Sequence, residues 1–99
     1  MKTYLLEGWF QPGRPTGPAF QQALAAHHQY IGQQVAQGRV LLAGPIPEDP
    51  QRGGILVVKS DDIDAFCQAD PFVQREVQTY KVTPFRVFDG QAAVKAWAE

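Results

Sequence analysis

The sequence predicts an α+β fold in the order β-α-β-β-α-β, with one four-stranded antiparallel sheet and both main helices on the same face. Three observations predict it. Strand-like and helix-like apolar periods alternate in that order along the chain, and clusters of proline and glycine separate them. The first and third strand candidates are apolar on both faces, as expected of strands buried from two sides.

Residues 2 to 10 form the first strand candidate, with Tyr4, Leu6 and Phe10 facing one way and Leu5 and Trp9 the other. The loop Gln11 to Pro18 holds too many prolines and glycines for regular structure and suits a lip over a cleft. Thr16 or Gly17 can cap the following helix, Pro18 to Gln37, and Pro18 sits in its first turn, where a missing N–H costs nothing. At about 100° per residue, Phe20, Leu24, Ile31 and Val35 make one stripe, and His27 falls inside it. Gly38 is placed to end the helix in a left-handed turn.

Val40 to Ala43 gives a second short strand, and a proline-rich loop leads to a third over Ile55 to Lys59. Ser60 is the expected N-cap of a helix over Asp61 to Ala69, whose core face carries Ile63, Phe66 and Cys67, with Asp70 next on that side. Pro71 should stop that helix. Val77 to Phe88 reads as a fourth strand in which Pro84 suggests an edge or a bulge, and Gln91 to Ala98 has helical spacing. This order is the ferredoxin-like one. Two helices cover only one face of its sheet, so the apolar set on the other face predicts a homodimer closed by two sheets packed face to face, a dimeric α/β barrel.

Composition narrows the function. With 99 residues, 44% hydrophobic and 19% charged, the chain fits one globular domain. Net charge is −1, and the nine Lys and Arg are scattered, leaving no footprint for nucleic acid or an anionic membrane. Cys67 is the only cysteine, which excludes an internal disulfide and a cysteine-based zinc site; it reads as a buried thiol. The N-terminal apolar run is too short for a signal peptide, and no segment reaches transmembrane length, so the expected location is cytoplasmic.

His27 and His28 diverge by about 100° on a helix and do not make a metal pair, so no metal is expected. No G-x-G-x-x-G, P-loop or G-x-S-x-G pattern occurs, and no cofactor is expected. What remains is His27 on one inward stripe and Asp70 on the other. A carboxylate behind a histidine fixes its tautomer, the arrangement that general acid/base catalysis needs near neutral pH. The plainer alternative is a core histidine and an aspartate that caps the backbone N–H of Phe72 or Val73. The residue pattern leaves both open.

Several segments together resemble the YciI-related proteins: His27 with Tyr30 and Ile31, Gly38 to Pro45, Ala69-Asp70-Pro71-Phe72-Val73, and Val82-Thr83-Pro84-Phe85. The resemblance runs from the first strand to Phe88 and implies a dimeric α/β barrel with His27 and Asp70 as a catalytic dyad. Two positions depart from it. Glu76 stands where such proteins often have glycine, and His28 where an apolar residue is usual. The expected function is a small cofactor-independent enzyme that transfers a proton on a small cyclic or aromatic metabolite, as an isomerase, lyase or dehydrohalogenase would. Tyr30, Gly44, Pro45 and Phe72 are the expected cleft walls, and Arg39 and Arg75 the available cations. The alternative is a non-catalytic ligand-binding or regulatory dimer.

Overall fold

Residues Lys2–Phe10 form β1, an inner strand of the sheet in a computed structural model that describes residues 1–99. Helix α1 (Gly17–Ala36), β2 (Val40–Gly44) and β3 (Arg52–Ser60) follow. Then come α2 (Ile63–Gln68), a single turn α3 (Pro71–Gln74), β4 (Gln78–Phe85) and α4 (Ala92–Ala98). The strands lie in the order β2-β3-β1-β4, and every neighbouring pair is antiparallel. This is the ferredoxin-like arrangement. Pro84 falls in β4, an edge strand, where a missing backbone donor is tolerated.

Register sets the two faces. Leu6 pairs with Leu56 and Val82, and Val58 with Tyr4 and Val40, so these side chains share the face that the helices cover. There they pack with Ile31 of α1 and Phe66 of α2 as the main core. A second cluster, Ala23, Phe72 and Val77, ties α1 to α3 and the start of β4, with Phe10, Phe20 and Leu24 against it. The opposite face carries Leu5, Val57 and Ile55, while Trp9, Leu42 and Phe85 stand partly exposed. Lys59 projects from that face and donates to the Trp97 carbonyl of α4 at 2.5 Å, and the Trp97 indole N–H donates to Gly38 at 2.8 Å.

Helix α1 ends as its sequence predicts. Gly38 has φ 77°, its N–H donates to Val35, and the Arg39 N–H donates to Gln34, a pattern that satisfies the last carbonyls. Val35 belongs to the wheel's apolar stripe yet is half exposed, because the helix outruns the core at this end.

Four expectations are corrected. Ser60 is not a cap: it is the last residue of β3, its hydroxyl accepts from the Asp62 N–H, and Asp62 caps α2 by accepting from Ala65. Helix α2 is accordingly shorter at both ends than Asp61 to Ala69, and Asp70 lies beyond it. The third strand starts at Arg52, because Gly54 pairs with Gly8 and Arg52 with Trp9, leaving Gly53 as the bulged residue between them. The fourth strand stops at Phe85, where its pairing with β1 ends at Thr3.

Candidate active site

Asp70 is placed by the break between two helices. Pro71 stops α2, as the sequence implies, and then opens α3 with Asp70 as its N-cap. The cap geometry turns the carboxylate inward, where it is fully buried. Its Oδ1 accepts from the Phe72 N–H at 2.9 Å and from His27 Nδ1 at 2.8 Å, and its Oδ2 accepts from the Tyr80 hydroxyl at 2.5 Å. Oδ2 is also 3.0 Å from His27 Nδ1. The capping reading and the dyad reading of Asp70 are therefore compatible: one oxygen serves both a backbone donor and the imidazole. A buried carboxylate is tolerated only when its lone pairs are met in this way.

His27 reaches Asp70 from the middle of α1. Its ring stacks flat on Phe72, with centroids 4.1 Å apart and planes 6° from parallel, and only 14% of its side chain is exposed. Two contacts thus fix the ring: a charge-assisted hydrogen bond on one edge and an aromatic face on one side. With Asp70 accepting from Nδ1, the neutral imidazole carries its proton there and leaves Nε2 as a bare acceptor. Nε2 has no protein partner.

Tyr80 is a partly buried donor that stays protonated. Burial first, and the adjacent Asp70 carboxylate second, push its hydroxyl well above the ordinary tyrosine value. Burial also pushes Tyr30 up to about 12 and Cys67 to about 11, with Asp70 contributing to both and Asp64 to the latter. Cys67 is thus a packed thiol at neutral pH.

The His27 ring lines a cleft of about 650 Å³ between α1, the β2–β3 turn and the end of β1. Phe10, Phe20, Leu24 and Phe72 supply its aromatic and apolar side, and Gly44 and Pro45 belong to the opposite wall. The three phenylalanines cluster with centroids 5.9 to 6.4 Å apart. Gly54 lets the turn close: with φ 155°, a Cβ there would sit 2.6 Å from the Gly44 carbonyl oxygen.

Tyr30 is not in this cleft. It turns toward α2, donates to the Phe66 carbonyl at 2.7 Å, and lines a smaller depression that also contains Arg39 and Lys59. Arg75 is exposed and away from the cleft. The arginine at the cleft is Arg52, already paired with Glu7 and lying over the Trp9 ring at 4.7 Å. His28 lies at the lip, exposed, its ring 5.8 Å from that of His27. Sequence reasoning missed Tyr80 and Gln78, although strand alternation puts positions 78, 80 and 82 of β4 on the helix side. No group of three or more His, Cys, Asp or Glu side chains is arranged to hold a metal ion, and no helix is long and apolar enough to cross a membrane.

Glu76 adopts φ 59°, the left-handed conformation that glycine takes most easily. It closes α3 through Glu76 N–H to Val73 and Val77 N–H to Phe72, and so aims β4, with Gln78 and Tyr80, back under the cleft. No curated protein matches the chain. The model of one family, described as the YCII-related domain, matches residues 9–86, a span that contains the His27 and Asp70 pair, the β2–β3 turn and β4. The chain therefore belongs to the YCII-related family.

Proposed function

We propose that this protein is a small cofactor-independent enzyme that moves a proton on a small cyclic or aromatic compound, with His27 as the base and acid and Asp70 as its orienting partner. One observation carries the reading. A buried, fully paired carboxylate holds Nδ1 of a histidine that lines an open, mostly apolar cleft and whose Nε2 has no partner in the protein. In the reaction, Nε2 takes a proton from carbon, and Asp70 stabilises the imidazolium that forms. The electron pair of the broken C–H bond shifts within the ligand. Returning the proton to a different carbon completes an isomerisation; expelling a leaving group with its own electron pair completes a lyase or dehydrohalogenase-type elimination. The working unit is a homodimer closed through the open sheet face, where Leu5, Val57, Trp9 and Phe85 would otherwise meet water.

The test is a metabolite screen for turnover with the wild-type chain, His27→Ala and His27→Gln. Gln can still donate to Asp70 but is no base. Turnover abolished in both variants, with the melting temperature of His27→Gln near that of the wild type, supports the enzyme. Ligands that raise the melting temperature while none is consumed point instead to a non-catalytic binding module. A His27→Gln chain that turns substrate over at the wild-type rate removes the dyad. Sedimentation at micromolar concentration tests the dimer, and a monomer would remove it.

A further inference from the structure

Gln78 is the second side chain of β4 that reaches the site, and with Arg52 it holds one of two buried side-chain polar atoms that nothing in the chain meets. It is 2% exposed, it lines the cleft, and its Oε1 has no donor. The sheet has been hollowed to admit it. A Cβ at Gly8 would lie 2.5 Å from that oxygen, and one at Gly53, in the cleft floor, only 2.0 Å from it. A buried carboxamide with an unmatched oxygen is a destabilising feature, and native proteins keep few of them.

The charges around the cleft narrow what could complete it. Arg52 is already paired with Glu7, no lysine lines the space, and Asp49 is acidic. A carboxylate ligand would find no lysine there and one arginine, whose charge Glu7 already balances and whose unpartnered Nε is buried, whereas a neutral ring would find Phe10, Phe20 and Phe72. We infer that Gln78 is a specificity-determining residue that anchors a hydroxyl of a small, neutral, ring-bearing ligand. A hydroxyl both donates and accepts, so it fits the carboxamide in either orientation of its oxygen and nitrogen. This rests on the proposed function, because it names what the same cleft selects. The anchored hydroxyl fixes which ring atom faces His27, the role of a positioning contact in a mostly apolar pocket.

The experiment is an NMR titration of the full chain with two probes of similar shape, phenol and its methyl ether, anisole. Phenol should bind the wild type about tenfold more tightly than anisole and shift the Gln78 side-chain amide signals. In Gln78→Met, of similar volume and apolar, that preference should fall to about twofold or less, with an unchanged or higher melting temperature. Gly8→Ala keeps Gln78 but puts a methyl group where its oxygen lies, and it should lose the preference too. A preference that survives in both variants, or is absent in the wild type, overturns the assignment, as does a Gln78→Met chain that melts several degrees lower. Binding without preference removes Gln78 alone. If neither probe shifts His27, Gly53 or Phe72, the cleft itself is not a ligand site and the proposed function goes with it.

Discussion

Asp70 and Gln78 lie at the two ends of the segment formed by α3 and the short turn that leads from it to β4, and both are buried, at 0% and 2% exposure. Asp70 is complete: His27, Phe72 and Tyr80 all donate to it. Gln78 is incomplete, with an oxygen that nothing in the chain meets. The difference separates what holds the site together from what waits for a ligand. Removing a saturated group strands its donors, so Asp70 should matter to folding. Removing an unsatisfied group strands nothing, so Gln78 should matter to binding and not to stability.

The largest effect should come from His27→Gln in any assay of turnover. General acid/base catalysis is worth roughly 10²–10⁴-fold, and that factor should vanish while stability changes by about 1 kcal/mol or less. Next is Asp70→Ala, which leaves the His27 ring nitrogen, the Tyr80 hydroxyl and a buried N–H without an acceptor. A loss of about 3 kcal/mol in urea denaturation is expected.

Tyr80→Phe removes a single donor from Asp70 and should cost about 1.5 kcal/mol. It also bears on alkaline stability. Tyr80 and Tyr30 are raised in the fold above the ordinary tyrosine value of 10.0, and Cys67 above 9.0. The unfolded chain therefore releases these protons first as pH rises, and the stability due to them is intact below about pH 9 and declines through about pH 12. Thermal melts across that window should fall steadily in the wild type and less steeply in Tyr80→Phe. The smallest effect is Glu76→Gly, which relieves a left-handed residue and should raise stability by about 1 kcal/mol despite the added freedom of the unfolded chain.

The residues of the site are unequally legible in the sequence. His27 was readable because helical periodicity is local: its place among Phe20, Leu24 and Ile31 needs only about 100° per residue. Helical spacing predicts the inward side for Asp70, but the cause is different. The residue continues no helix; the proline after it makes it a cap, and the cap turns it in. Tyr30 shows the limit of the same wheel, since three steps from His27 rotate it by about 60° to the other side, toward Phe66 and away from the cleft. Gln78 and Tyr80 escaped because strand alternation says which face a residue takes but not what lies above it. That depends on how α3 turns the chain at Glu76, a tertiary relation no local pattern encodes. The sheet order followed from element order alone, whereas the bulge that extends β3 to Arg52 came from pairing across strands.

The claim on which the rest depends is that Asp70 fixes the His27 ring with Nε2 free for proton transfer. Long-range proton–nitrogen correlation NMR of the ¹⁵N-labelled chain reads this directly, at a pH where the ring is neutral. The expected result is a His27 proton on Nδ1 with Nε2 unprotonated, a pattern that changes in Asp70→Asn. A neutral His27 that carries its proton on Nε2 would contradict it.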